Sequence, residues 1–152
     1  MAITYENVFY DFVLDPLRDL FVAEYSYGNI YIAPALIHQV PFSIRIWGLS
    51  ALKSEYVVDA HARVYNVEVA LYMIEANPDE NFYKQFYNDG ERVHQLMFEN
   101  KTTSTTVGST TLQWSDGSVN DMVINDLTTD EAAISGLHSI KLDFSCNITA
   151  SV

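Results

Sequence analysis

Apolar residues recur along the chain with two different periods, and the switches between them divide it into elements. Over residues 5–26 the spacing is three and four. Phe9, Phe12, Val13, Pro16, Leu17, Leu20 and Phe21 fall on one side, with Asp11, Asp15 and Asp19 opposite. That period predicts a helix, with Thr4 as its N-cap and Gly28 at its end. Pro16 either kinks this helix or, paired with Asp15, starts a second one. The period then drops to two. Residues 29–33 make a short strand, and Pro34 and Pro41 bracket a loop. Residues 42–47 alternate Phe42, Ile44 and Ile46 against Ser43, Arg45 and Trp47. Residues 49–54 read as turn-like. Residues 56–74 are β-rich and form two strands, or one bent near residues 60–63. Tyr65, Val67, Val69, Leu71 and Met73 share one face there, opposite Asn66, Glu68, Ala70 and Tyr72.

The second helix has the clearest start. Asn77-Pro78-Asp79-Glu80 supplies a cap, a proline at the first helical position and an acid two residues on. Phe82, Phe86, Val93, Leu96 and Met97 then line one face as far as Asn100. Gly90 falls mid-helix, where it costs about 1 kcal/mol relative to Ala; close packing against a neighbour would account for it. Residues 102–111 are rich in Thr and Ser, have little to bury, and read as a mobile stretch. Trp114, then Ser115-Asp116-Gly117-Ser118, then residues 119–124 predict strand, turn and strand. Residues 126–136 read as a loop or short helix. The last segment alternates strictly: Ile140, Leu142, Phe144, Cys146 and Ile148 on one face, Ser139, Lys141, Asp143, Ser145, Asn147 and Thr149 on the other. A half-covered strand has this pattern. Two helices cannot cover both faces of a five- or six-stranded sheet. The expected fold is therefore α+β: one mixed, mainly antiparallel sheet with two helices packed on one face. With 152 residues, no repeat and no linker, residues 1–152 read as a single domain.

Charge narrows the function. Eight Lys and Arg against twenty Asp and Glu give a net charge of −12. A phosphate-gripping surface needs clustered cations, so specific nucleic-acid binding is excluded and anionic membranes are disfavoured. Cys146 is the one cysteine, so no disulfide framework exists. The N-terminus lacks a signal-peptide pattern and no apolar run is long enough to span a membrane, so an intracellular protein is expected. No phosphate loop, zinc motif or nucleophile elbow is present. His38, His61, His94 and His138 are dispersed. Asp59 and His61 alternate onto one side of a strand and could form an acid–base pair, but no third group joins them. Cys146 sits on an apolar face and reads as a small buried hydrophobe. No catalytic residue, cofactor or metal is expected.

The charge is unevenly spread. Residues 34–64 hold two acids and three bases (Arg45, Lys53, Arg63), a net of +1, while every other region is acidic. Arg45, Trp47, Leu49, Leu52, Lys53 and Tyr56 therefore form a candidate interface patch, since aromatics and Arg are favoured in interfaces. The competing reading is that Trp47 and Tyr56 complete the core.

The opening TYENVFYDFVLDPLRDLF, the strand SIRIWG, the run YNVEVALYMIE, the helix FYKQFYNDGERVHQLMFEN and the final alternating strand together resemble the tail terminator family of long-tailed bacteriophages, also called tail completion or neck proteins. The resemblance implies a ring, usually of six copies, that caps the tail tube, ends its polymerisation and meets a head-side stopper. DNA passes through its channel. An acidic lumen suits a conduit, because it repels phosphates. A stopper or head completion protein and a tail tube subunit are the neighbouring alternatives; a small enzyme built around Asp59, His61 or Cys146 is a more distant one. The resemblance assigns no role to residues 102–111, which read as a mobile hairpin that orders on contact with a neighbour.

Overall fold

The computed structural model describes residues 2–3, 5–26, 29–33, 41–57, 60–126 and 136–151, with the side chains of 54–57, 60–61, 125–126 and 150–151 left out. A π-helical turn, Tyr10–Leu14, runs directly into α1, Asp15–Tyr25. The wider turn sits just ahead of Pro16, which lacks an N–H and would clash with the carbonyl four residues back in a regular α-helix. The backbone N–H of Asp15 instead donates to the carbonyl of Tyr10, and the chain continues through the proline without a break. Thr4 and Gly28, the expected caps, lie outside the described residues. Ser26 ends α1 in the left-handed conformation (φ 57°), its N–H donating to Val22 O at 2.8 Å.

The strands are β1 (Ile30–Tyr31), β2 (Phe42–Val57), β3 (Ala60–Ile74), β4 (Thr103–Val107), β5 (Thr110–Asp126) and β6 (Leu137–Ser151), with α2 (Glu80–Glu99) between β3 and β4. They form one curled sheet in the order β1-β2-β3-β6-β5-β4. Only β1 and β2 are parallel; every other pair is antiparallel. This is the expected α+β arrangement. Both helices pack on one face, where Leu17, Phe21, Phe86, Val93 and Met97 join Ile44, Ile46, Val67, Val69, Leu71, Ile140, Leu142, Phe144, Cys146 and Ile148 in one core.

Two local expectations, at 49–54 and 115–118, are corrected, and the reading of 102–111 is made definite. Residues 49–54 are not a turn: β2 runs through them with bulges between Gly48 and Ser50 and between Lys53 and Glu55. The bulges break the alternation on which the sequence reading relied. The stretch at 102–111 is a hairpin. Thr is a good strand former, Thr106 and Thr111 share a hydroxyl bond of 2.7 Å across the pair, and Gly108 supplies the positive φ (61°) of the turn. Ser115-Asp116-Gly117-Ser118 is a bulge inside β5, not a turn between strands; the Gly117 N–H donates to Lys101 O at 3.0 Å.

In α2 the cap is Asp79, not Asn77. Its carboxylate accepts from the Phe82 N–H at 2.8 Å. Gly90 is explained by crowding, since a Cβ there would lie 2.7 Å from Ile140 Cδ1 and 3.2 Å from Met122 Sδ. Arg92 ties the helices together, donating to the Glu24 carboxylate at 2.7 Å and stacking over Tyr25 at 4.5 Å.

Truncating Phe144, buried at the middle of β6 and stacked edge-on against Trp114, is expected to cost about 3–5 kcal/mol in denaturant unfolding. A cost of less than about 1 kcal/mol for Phe144→Ala would mean that the inward face of β6 is misassigned.

Candidate functional site

The candidate patch of the sequence reading lies along β2, and the sheet splits it. Arg45 is only 2% exposed. It points to the face away from the helices, in register with Tyr31 on one side and Ala70 on the other. Its guanidinium sits 4.3 Å from the Tyr31 ring centroid. Nε and Nη2 have no hydrogen-bond partner among the described residues. Trp47, on the same face, packs against a small second cluster of Ala70, Tyr72 and Leu137. Ser43, Tyr72 and Ser139, aligned in one cross-strand row, are buried there as well. This face was expected to be wet, and near β1 it is not. Burial raises the Tyr72 hydroxyl pKa, with Glu68 adding to the shift and Arg45 opposing it. Arg45 therefore leaves the surface patch, and Trp47 does so in part.

What stays exposed lies further along the strand. Leu49 is 50% and Leu52 58% exposed, and Lys53 is exposed beside them. Lys53 pairs in register with Arg63, also exposed. Ser50 and Asn66 join across the strands by a bond of 2.9 Å, which fixes this stretch of β2 on β3. The side chains of Tyr56 and His61, and all of Asp59, lie outside the described residues, as do residues 34–40 and 127–135. Strict alternation would set Arg45 and Leu52 on opposite faces; the bulge between Gly48 and Ser50 brings both to the outer side, where the burial around Arg45 and Tyr72 distinguishes them.

The end of the sheet that carries these residues is long. β2, β3, β5 and β6 have 16, 15, 17 and 15 residues, about three times the usual strand. At ~3.3 Å per residue β2 spans roughly 50 Å. The helices, 11 and 20 residues long, reach roughly 16 and 30 Å. The π-helical turn and the residues before it extend the helical cover, so the inner face is closed as far as Tyr65, Cys146, Ile148 and Trp114, all buried, and it is the outer face of this end that stays open.

Among the described residues no three His, Cys, Asp or Glu side chains stand close enough to hold a metal ion. No described helix is long and apolar enough to cross a membrane. Cys146 is buried, and desolvation pushes its thiol up to about 12, so it is held neutral at physiological pH. His138 is buried among Phe82, Tyr83 and Phe86, with ring centroids 4.8 to 5.8 Å away. Asp89, buried on α2, has its carboxyl raised by desolvation, while the bond from Gln85 and the charge of Arg92 pull it back. No protein-family model matches the chain, and no curated protein matches it.

Substituting Arg45 tests this division of the patch. Arg45→Glu would bury an uncompensated anion beside Tyr72 and is expected to destabilise the domain by about 3–5 kcal/mol. Arg45→Met, of similar volume, is expected to melt at or above the wild-type temperature. If Arg45→Glu melts like wild type, Arg45 belongs to the surface after all.

Proposed function

We propose that this chain is a structural subunit of a phage neck: a ring that caps the tail tube, ends its polymerisation and joins tail to head, with DNA passing through the channel. The observation that carries the reading is the long sheet with one helix-free face, along which Leu52 is exposed, with Leu49 exposed at the bulge just before it. Half-exposed leucines on a sheet face that the domain's own helices do not cover are what a protein–protein contact uses. The element order supports the same reading. The phrases that resemble tail terminators fall on α1, β2, β3 and α2 in sequence, so the resemblance follows the architecture. The net charge of −12 fits a conduit that DNA traverses without adhering. The proposed partners are further copies of the chain, the tube protein below and a head-side stopper above.

Tail length is the readout. Phage particles assembled without this protein are expected to carry overgrown tubes or tubes that fail to join heads, seen by electron microscopy of lysates. Tails of normal length, attached to heads, in its absence would contradict the terminator role and leave the stopper or tube-subunit roles to be weighed.

A further inference from the structure

Each edge of the sheet is covered only over part of its length. β1 lies beside β2 at Ile44 and Arg45 alone, and among the described residues no strand pairs with that side of β2 from Ile46 to Val57. At the opposite edge β4 covers β5 up to Trp114, and Lys101 bonds Gly117. Among the described residues the rest of β5 has no neighbour on that side. Unpaired strand edges are templates for pairing with another chain. Both edges also expose apolar side chains: Leu49 and Leu52 on β2, Val123 (50%) and Ile124 (46%) on β5.

We infer that these two open edges pair with each other between neighbouring copies, β5 of one subunit adding to β2 of the next. Strand direction supports it. β2 to β3, β3 to β6 and β6 to β5 are each antiparallel, so β5 runs opposite to β2. A neighbour rotated about an axis along the strands keeps its helices on the same side and presents β2 antiparallel to β5.

Register supports it too. Away from the bulges the regular stretches are residues 50–53 of β2 and 122–126 of β5. Setting Leu52 opposite Val123 places both on the outer face, as their partners Val64 and Lys141 show, and sets Ala51 beside Ile124 on the helix-bearing face. The same register lays residues 49–57 along 118–126, just short of the Lys101 contact. The offset tilts the strands against the ring axis, as in any closed barrel.

Charge selects this pairing over the symmetric one. Asp116 and Asp121 are exposed on β5, and Lys53 and Arg63 are exposed at the β2 end, so β5 against β5 would set acid against acid. The contact is heterologous and propagates until the ring closes. The inference rests on the ring reading above and names the surfaces that build it.

Sedimentation of the full chain tests it. Leu52→Lys spoils the β2 edge and leaves β5 intact; Val123→Lys does the reverse. Both side chains are half exposed, so melting temperatures should stay at the wild-type value. Each variant alone is expected to raise the concentration for half-assembly by about tenfold or more. Mixed one to one they should form a dimer and nothing larger, because only one good contact remains. Leu52→Gln with Val123→Gln is the second pair if lysine unfolds either chain, with the same expected order. Variants that assemble like wild type, or a mixture that gives no dimer while wild type still forms rings, would overturn the edge pairing and leave the ring reading standing. A wild-type chain that stays monomeric, alone and with tail tubes, would overturn both.

Discussion

The fold depends on the pairing of β3 with β6. Fifteen residues of each strand run in unbroken register, from Ala60 against Ser151 to Ile74 against Leu137. That seam lies at the centre of the sheet, and it sets Val67, Val69 and Leu71 beside Phe144, Leu142 and Ile140, under both helices. Side chains alternate with period two, so a slip of one residue would turn this whole set outward. The apolar alternation of both strands forbids the slip. β2 and β5, each carrying two bulges, flank the seam and take up the curl that it does not.

The two faces of the sheet differ in a way that bears on function. One is closed by α1, α2 and the turn before them. The other is closed only near β1, where Arg45, Tyr72, Ser139 and Leu137 are buried. Among the described residues Arg45 Nε and Nη2 have no hydrogen-bond partner, and the Tyr31 ring stacked beneath the guanidinium stabilises the charge there. Along β2 the exposed apolar surface therefore lies at the far end, at Leu49 and Leu52, and not at Arg45. On the ring reading, copies carrying a net charge of −12 repel at short range and are screened beyond about 8–10 Å, so a contact between them needs a less acidic surface such as the far end of β2.

Much of this was legible in the chain. From Ser139 to Thr149 β6 alternates without exception, and the five apolar residues of its inward face are all buried. The odd-numbered face of β3 and the Phe86–Val93–Met97 face of α2 were equally plain. Gly90 was recognisable as an oddity, and Ile140 explains it. The misreadings share a cause. Bulges at 48–55 and 115–122 interrupt period two, so a continuous strand looked like a turn. The Thr-rich hairpin has no apolar face to reveal it; cross-strand hydroxyls and pairing with β5 make it a strand. The burial of Arg45 came from long-range packing, which no local pattern records. For the candidate patch, composition drew attention to β2 but did not tell its buried part, at Arg45, from the part that faces water, at Leu49 and Leu52.

The proposed reading places this domain's function on its sheet edges and on the exposed end of β2. The account stands or falls on whether the chain closes on itself at the end of a tube. Electron microscopy of the purified protein, alone and mixed with tail tubes, tests that most directly. The account predicts closed rings of uniform size that seat on tube ends and halt their growth. Long tubes built from this chain alone, or tube ends that remain bare and keep growing, would contradict it.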